Sequence, residues 1–170
     1  IAPLFGTAPF YGPDRVLVSL RHQDLVAIVD WKLSQLVWSW GKGELSGPHD
    51  ASLLENGHVL VFDNGLNRKW SRIVEVDPAT DRIVWQYKAD PPESFHTDAL
   101  GGAQRLPNGN TLIANSYSGE SFEVTPGGEI VWRFLTPYKN DKGKRAVIVR
   151  MKRYAPELVE PLLAAAGGKR

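Results

Sequence analysis

The chain has 170 residues, with 20 Lys and Arg against 19 Asp and Glu, a net charge of +1 and no cysteine. That near balance supplies no general attraction to nucleic acid or to an anionic membrane surface, and the lack of cysteine excludes disulfides and thiolate metal sites. A 42% hydrophobic, 23% charged composition is ordinary for one soluble domain able to bury a core, and no stretch has the pattern of a signal peptide or of a membrane-spanning helix.

Ile1-Ala2-Pro3 has the character of an interior or processed start. After an unclear opening strand, residues 15–20 and 25–30 are runs of β-branched and aliphatic residues that suit a pleated, half-buried surface. Leu36-Val37-Trp38-Ser39-Trp40 closes this first unit. The second opens at residues 51–54, turns at Glu55-Asn56-Gly57 into 58–62, and runs through 72–76 and Asp77-Pro78-Ala79-Thr80-Asp81 into 82–87. Asn-Gly supplies the positive φ that a tight hairpin needs. The third unit repeats this grammar from Gln104-Arg105-Leu106 through Pro107-Asn108-Gly109 to residues 129–134. A basic tail follows, with a strand-like stretch at 146–151, a short helix predicted from Pro156 with proline in its first turn, and Gly167-Gly168-Lys169-Arg170, expected to fray. The tail's lysines and arginines are expected to form a solvated edge, the alternative being an anion- or partner-binding surface.

The phrase Leu36-Val37-Trp38 recurs as Ile83-Val84-Trp85 and Ile130-Val131-Trp132, so tryptophan falls at 38, 85 and 132, a period of 47 residues. Four short strands at such a period predict an all-β chain: a partial β-propeller of about three four-stranded blades, in units 1–47, 48–94 and 95–138, followed by a basic closing strand and tail at 139–170. Three blades do not close a ring that ordinarily takes four to eight. Missing blades or a partner chain are therefore expected to cover the open edge.

Repetition offers an internal control, because a residue required only by blade geometry should recur in the next blade. Matching Leu54-Glu55-Asn56-Gly57 with Leu106-Pro107-Asn108-Gly109 sets His49 opposite Gly101, so blade packing does not ask for histidine there. Matching Leu17, Leu60 and Leu112 sets Arg21 against Asn64 and Ser116, giving the first blade a guanidinium fork suited to an oxyanion. His49 and Arg21 are the catalytic candidates; His22, Asn64 and His96 are candidates for substrate binding. His58 aligns with Asn110 just after a turn and is expected to be structural. Phe62-Asp63-Asn64-Gly65 is explained as a turn, and no metal or cofactor is expected.

The succession Leu20-Arg21-His22-Gln23, Gly47-Pro48-His49-Asp50, Phe62-Asp63-Asn64-Gly65 and Gly102-Ala103-Gln104-Arg105-Leu106-Pro107-Asn108-Gly109 resembles the bacterial arylsulfotransferases over roughly residues 12–138. The resemblance implies sulfuryl transfer from an aryl sulfate to a phenol through a sulfohistidine, without a nucleotide donor. His49 would match the nucleophile and Arg21 the arginine that holds the sulfate oxygens, with Asp50 or Asn64 orienting the imidazole. It also implies aryl sulfates and phenols as small-molecule partners and a periplasmic or exported location. The family carries further histidines on blades preceding the Arg-His-Gln strand, and this chain has none upstream of Arg21. Leaving-group protonation thus has no assigned acid. The competing expectation is a non-catalytic propeller segment that binds or assembles within a larger complex. A quinone-cofactor propeller, suggested only by the Asp77 to Trp85 stretch, carries less weight because that motif fastens blades together.

Overall fold

The computed structural model describes residues 8–165; the expectations for Ile1-Ala2-Pro3 and for Gly167-Gly168-Lys169-Arg170 lie outside them. Among the described residues eleven strands form three antiparallel sheets, followed by one α-helix. The first sheet holds β1 (Arg15–Leu20), β2 (Leu25–Asp30) and β3 (Gln35–Trp40). The second runs in order through β4 (His49–Leu53), β5 (Val59–Asp63), β6 (Arg72–Asp77) and β7 (Arg82–Tyr87). The third repeats it with β8 (Gly102–Arg105), β9 (Thr111–Asn115), β10 (Glu120–Val124) and β11 (Ile130–Leu135). These are three successive blades of a β-propeller, in which β4 packs against β1 and β8 against β5. The first blade has three strands rather than four among the described residues, because nothing there pairs with the free edge of β1.

The recurring Val-Trp phrase has a structural cause. In every blade the last two strands slip register at one place: Val29 faces Leu36 while Ile28 faces Trp38, Val76 faces Ile83 while Glu75 faces Trp85, and Val124 faces Ile130 while Glu123 faces Trp132. Val37, Val84 and Val131 are the extra residues of three equivalent β-bulges, which bend the outer strand and re-aim its tryptophan. Trp38 Nε1 then donates to Asp81 Oδ1 at 2.9 Å and Trp85 Nε1 to the Pro126 carbonyl at 2.8 Å, each on the outer turn of the following blade.

The middle blade shows why its strands are almost continuously apolar. Residues alternate across a strand, so Val59 and Val61 of β5 face the first blade, in a cluster with Val26, Ile28, Val74 and Val76. Leu60 and Phe62 face the third, with Ile73, Phe95, Ile113 and Phe122. Both faces are covered, hence the unbroken run. Phe95 comes from the loop between blades and meets Phe62 edge-on at 5.6 Å and Phe122 at 5.5 Å, geometries that add to simple burial.

The tail differs from its expected form in one respect. Residues 146–153 form no regular element and pair with no strand, and their cations are engaged with blade acids rather than forming only a solvated edge: Arg150 and Lys152 with Asp50, Arg153 with Glu123. The predicted helix forms as α1 (Pro156–Ala165), with Pro161 within it. It is not long and apolar enough to cross a membrane.

Candidate functional site

The site is built where the chain enters the innermost strand of the second blade. Gly47 has φ +68°, and a Cβ there would stand 2.7 Å from Leu66 Cδ1, so glycine alone fits. Its N–H donates to Asp24 Oδ1 at 2.7 Å, and the N–H of Ser46 donates to Asp63 Oδ1 at 2.9 Å. Asp63 is wholly buried, and its other oxygen takes Arg68 Nη2 and Arg72 Nε, both at 2.9 Å. Two guanidinium groups and a backbone donor satisfy a carboxylate that would otherwise be prohibitively costly to bury.

β4 then does something β8 does not. β8 pairs with β9 at four consecutive positions, whereas β4 faces β5 through His49 and Phe62, skips, and resumes at Ser52 and Leu60. One extra residue is inserted, and Asp50 takes φ +49°, a conformation uncommon for a residue with a side chain. By register His49 therefore lies opposite Gly102, not Gly101 as residue counting predicts, since His49 faces Phe62 as Gly102 faces Ala114.

The imidazole is half-buried and held through one nitrogen. His49 Nδ1 lies 2.7 Å from Asn64 Oδ1 and 3.1 Å from the Gly47 carbonyl. A carbonyl oxygen only accepts, so Nδ1 carries the proton, and in the neutral ring the lone pair falls on Nε2. Nε2 makes no hydrogen bond among the described residues. Asn64 is itself fixed: fully buried, it donates from Nδ2 to the carbonyls of Thr97 at 2.8 Å and Leu100 at 3.0 Å, which turns Oδ1 toward the histidine.

Those two carbonyls belong to the loop that joins the second and third blades, and Arg21 reaches the same loop. β1, β5 and β9 end at Leu20, Asp63 and Asn115, so Arg21, Asn64 and Ser116 occupy one slot in successive blades. Arg21 opens a 3-10 turn, Arg21–Gln23, and donates from Nη2 to the Asp98 carbonyl at 3.4 Å; its Nε is buried with no partner among the described residues. His96 is on this loop too, its Nε2 3.3 Å from Asp98 Oδ1. Residues 96–100 thereby connect Arg21, Asn64, His96 and, through Asn64, His49.

The remaining candidates lie apart. His22 is exposed within the 3-10 turn. Asp50 turns away from the imidazole: its carboxylate accepts the Ala103 N–H at 3.1 Å and pairs with Arg150 at 2.9 Å and Lys152 at 3.2 Å. Of the two residues suggested to orient His49, only Asn64 touches it. His58 binds Glu75 Oε1 at 2.7 Å, where its counterpart Asn110 binds Glu123 Oε1 at the same distance, so a blade network holds it. Sequence reasoning missed Asp24, Asp63 and the carbonyls of Thr97, Asp98 and Leu100. Asp63 carried a signal, a charged residue ending an otherwise apolar strand; the carbonyls carried none. No group of three or more His, Asp or Glu side chains is placed to hold a metal among the described residues.

The profile of the family described as arylsulfotransferase (ASST) matches residues 7–137. The chain belongs to the arylsulfotransferase family. No curated protein matches it. Among solved structures, virginiamycin B lyase from Staphylococcus aureus is similar over 72% of this chain at 14% identity and a TM-score of 0.51. A protein of unknown function from Bacteroides caccae is similar over 78% at 15% identity and a TM-score of 0.43. The chain spans 38% and 64% of their respective lengths. At such identity the lyase supports the fold of this arylsulfotransferase-family chain and nothing finer.

Proposed function

We propose that the chain transfers a sulfuryl group from an aryl sulfate to a phenolic acceptor through a sulfohistidine at His49. The observation that carries this reading is the one-sided anchoring of the imidazole: Nδ1–H is committed to Asn64 and Gly47, which leaves Nε2 as the nucleophile. In the first step the Nε2 lone pair forms a bond to sulfur as the sulfur–aryl oxygen bond breaks, and the phenolate departs with that electron pair. The resulting imidazolium-like sulfohistidine gains from the Asn64 oxygen on Nδ1–H. In the second step the acceptor oxygen, losing its proton to solvent, bonds to sulfur, and the nitrogen–sulfur bond returns its electrons to Nε2. Covalent catalysis of this kind divides one difficult displacement into two easier ones.

Arg21 is the oxyanion partner in this reading. Its Asp98 contact uses one Nη2 hydrogen and its Nε is buried, so Nη1 and the second Nη2 hydrogen would take the sulfate oxygens, where a fixed cation stabilises charge as it spreads in transfer. His96 would bind substrate from the loop beside the arginine, and His22, which lies apart, has no part in this reading. No group in this chain is assigned to protonate the departing phenolate, so donors with good leaving groups are favoured. Incubation with an activated aryl sulfate and a phenol should yield the sulfated acceptor, and His49→Ala should lower kcat by at least about 10³-fold. Undiminished transfer by that variant would remove His49 from the reaction.

A further inference from the structure

The cations of the tail converge on the backbone feature that separates β4 from β8. Asp50 and Ala51 together stand opposite Val61 of β5, and Asp50, directly after His49, is held at φ +49°. The Asp50 side chain is 9% exposed, and its carboxylate pairs with Arg150 Nη2 at 2.9 Å through Oδ1 and with Lys152 Nζ at 3.2 Å through Oδ2. Oδ2 also accepts the Ala103 N–H at 3.1 Å, while Lys152 Nζ donates to the Ala103 carbonyl at 3.2 Å. Both backbone groups of Ala103 are thus met by one ion pair, which ties the bulge in the second blade to the innermost strand of the third.

The surroundings are shaped for that junction. Gly102, the counterpart of His49 by register, leaves the passage open: a Cβ there would lie 2.8 Å from Asp50 Oδ2 and 3.2 Å from Arg150 Cγ. On the other side, the Ala51 N–H donates to Ser19 Oγ of β1 at 3.1 Å, so the bulge is gripped from the first blade as well as from the third. The tail is itself anchored along the third blade at two points. Ile148 N–H donates to the Ser116 carbonyl at 3.2 Å, and Arg153 exchanges hydrogen bonds with the Gln104 side chain at 2.7 and 2.8 Å. Arg150 and Lys152 lie between these anchors, which fixes their reach toward Asp50.

Two costs meet at Asp50, and the same cations offset both. A residue with a side chain keeps a left-handed backbone only where its surroundings over-determine it, and a carboxylate this buried needs compensating charge and donors. The neighbouring imidazole is held only at Nδ1, so the direction of Nε2 also depends on the backbone from which the ring projects. We propose that Arg150 and Lys152 are positioning residues for transfer at His49: clamped on Asp50, they hold the bulge of β4 in its left-handed form and so fix where Nε2 points. The proposal rests on the sulfuryl-transfer reading and gives the tail, not the blades alone, a part in that site. The cations act through Asp50 and not on the substrate.

The double variant Arg150→Met/Lys152→Met removes both charges and keeps apolar stems. It is expected to lower kcat about 10- to 100-fold, the size of effect seen for partners that orient a functional imidazole, with KM changed by no more than about twofold. Arg150→Lys/Lys152→Arg, which keeps the charges, should recover most of that loss. If the double variant fails to fold, Arg150→Met alone, at a side chain 56% exposed, gives the same reading. Asp50→Gly supplies a backbone free to take the left-handed form; in that background the two methionine changes should lower kcat no further. A loss repeated there means that the cations meet substrate directly and overturns the proposal. Nitrogen NMR of the His49 ring needs no substrate and keeps this inference apart from the transfer reading: one tautomer is expected in the parent and a mixture in the double variant. That change in a chain inactive toward aryl sulfates removes the transfer reading and leaves the clamp. An unchanged His49 signal in the double variant, or a loss confined to KM, overturns the clamp.

Discussion

Two corners of the molecule are built on the same plan and furnished differently. Where β8 meets β9 the ladder is regular, Gly102 faces Ala114, and the slot after the strand holds Ser116, whose hydroxyl accepts the Gly101 N–H at 2.8 Å. Where β4 meets β5 the ladder carries an extra residue, Asp50 accepts a left-handed backbone, His49 replaces the glycine, and Asn64 replaces the serine. Gly102 is also constrained by its neighbour, since a Cβ there would come within 2.8 Å of Asp50 Oδ2. The third blade shows that blade stacking needs no inserted residue in the innermost strand, no imidazole there and no amide in the slot after its second strand. Non-glycine residues held in that region cost on the order of 1–3 kcal/mol, and such strain at the second corner is consistent with aiming a reactive ring.

The largest departure between the corners should come from the pair that distinguishes them. Asn64→Ala removes the acceptor that fixes the His49 ring; partners that orient a functional imidazole are worth about 10- to 100-fold in activity, and a loss of that size in kcat is expected. Its independent signature is in nitrogen NMR, where His49 should change from one tautomer to a mixture. Replacing Arg21 by alanine should next raise KM for the aryl sulfate more than it lowers kcat, with partial rescue by lysine, which keeps the charge and loses the fork. Steady-state kinetics decides this.

Ser116→Ala is the matching change at the regular corner. It deprives the buried Gly101 N–H of its acceptor, a cost of about 1–3 kcal/mol, and should lower the melting temperature while leaving transfer intact. A loss of transfer equal to that of Asn64→Ala would erase the distinction between the corners. The smallest effect belongs to a feature both blades share, the hairpin asparagines bonded to a central glutamate. The Asn110 amide, then Asn108 and Arg153, hold the Glu123 carboxyl below its ordinary range. A lowered folded value stabilises the protein above the unfolded value of about 4.3, and this contribution is lost as pH falls through the folded value. Melting temperature should consequently fall more steeply below about pH 4 in the parent than in Glu123→Gln.

What was legible in the sequence follows the same division. The 47-residue Trp phrase marks a bulge that every blade needs, so periodicity exposes the blades, while the family resemblance rests on the motifs around Arg21, His49 and Asn64. The equivalence of Arg21, Asn64 and Ser116 could be counted because β1, β5 and β9 end at matching residues. The register of His49 could not, because an inserted residue in β4 leaves no mark on a residue count. Nor could the anchoring of Asn64 and Arg21 by Thr97, Leu100 and Asp98, since backbone carbonyls donated by an irregular loop are indifferent to side-chain identity. The tail was opaque for a similar reason: 146–151 has a strand's composition, but the segment through Arg153 takes its place from contacts with Gln104, Ser116 and Glu123.

The central claim is that His49 Nε2 carries the sulfuryl group between donor and acceptor. Rapid quenching of the protein with an activated aryl sulfate and no acceptor, followed by peptide mass spectrometry under alkaline conditions that preserve the nitrogen–sulfur bond, should find one SO3 increment on the peptide containing His49, discharged when phenol is added. An increment on another residue, or product formed with no labelled histidine and unaffected by His49→Ala, would contradict it.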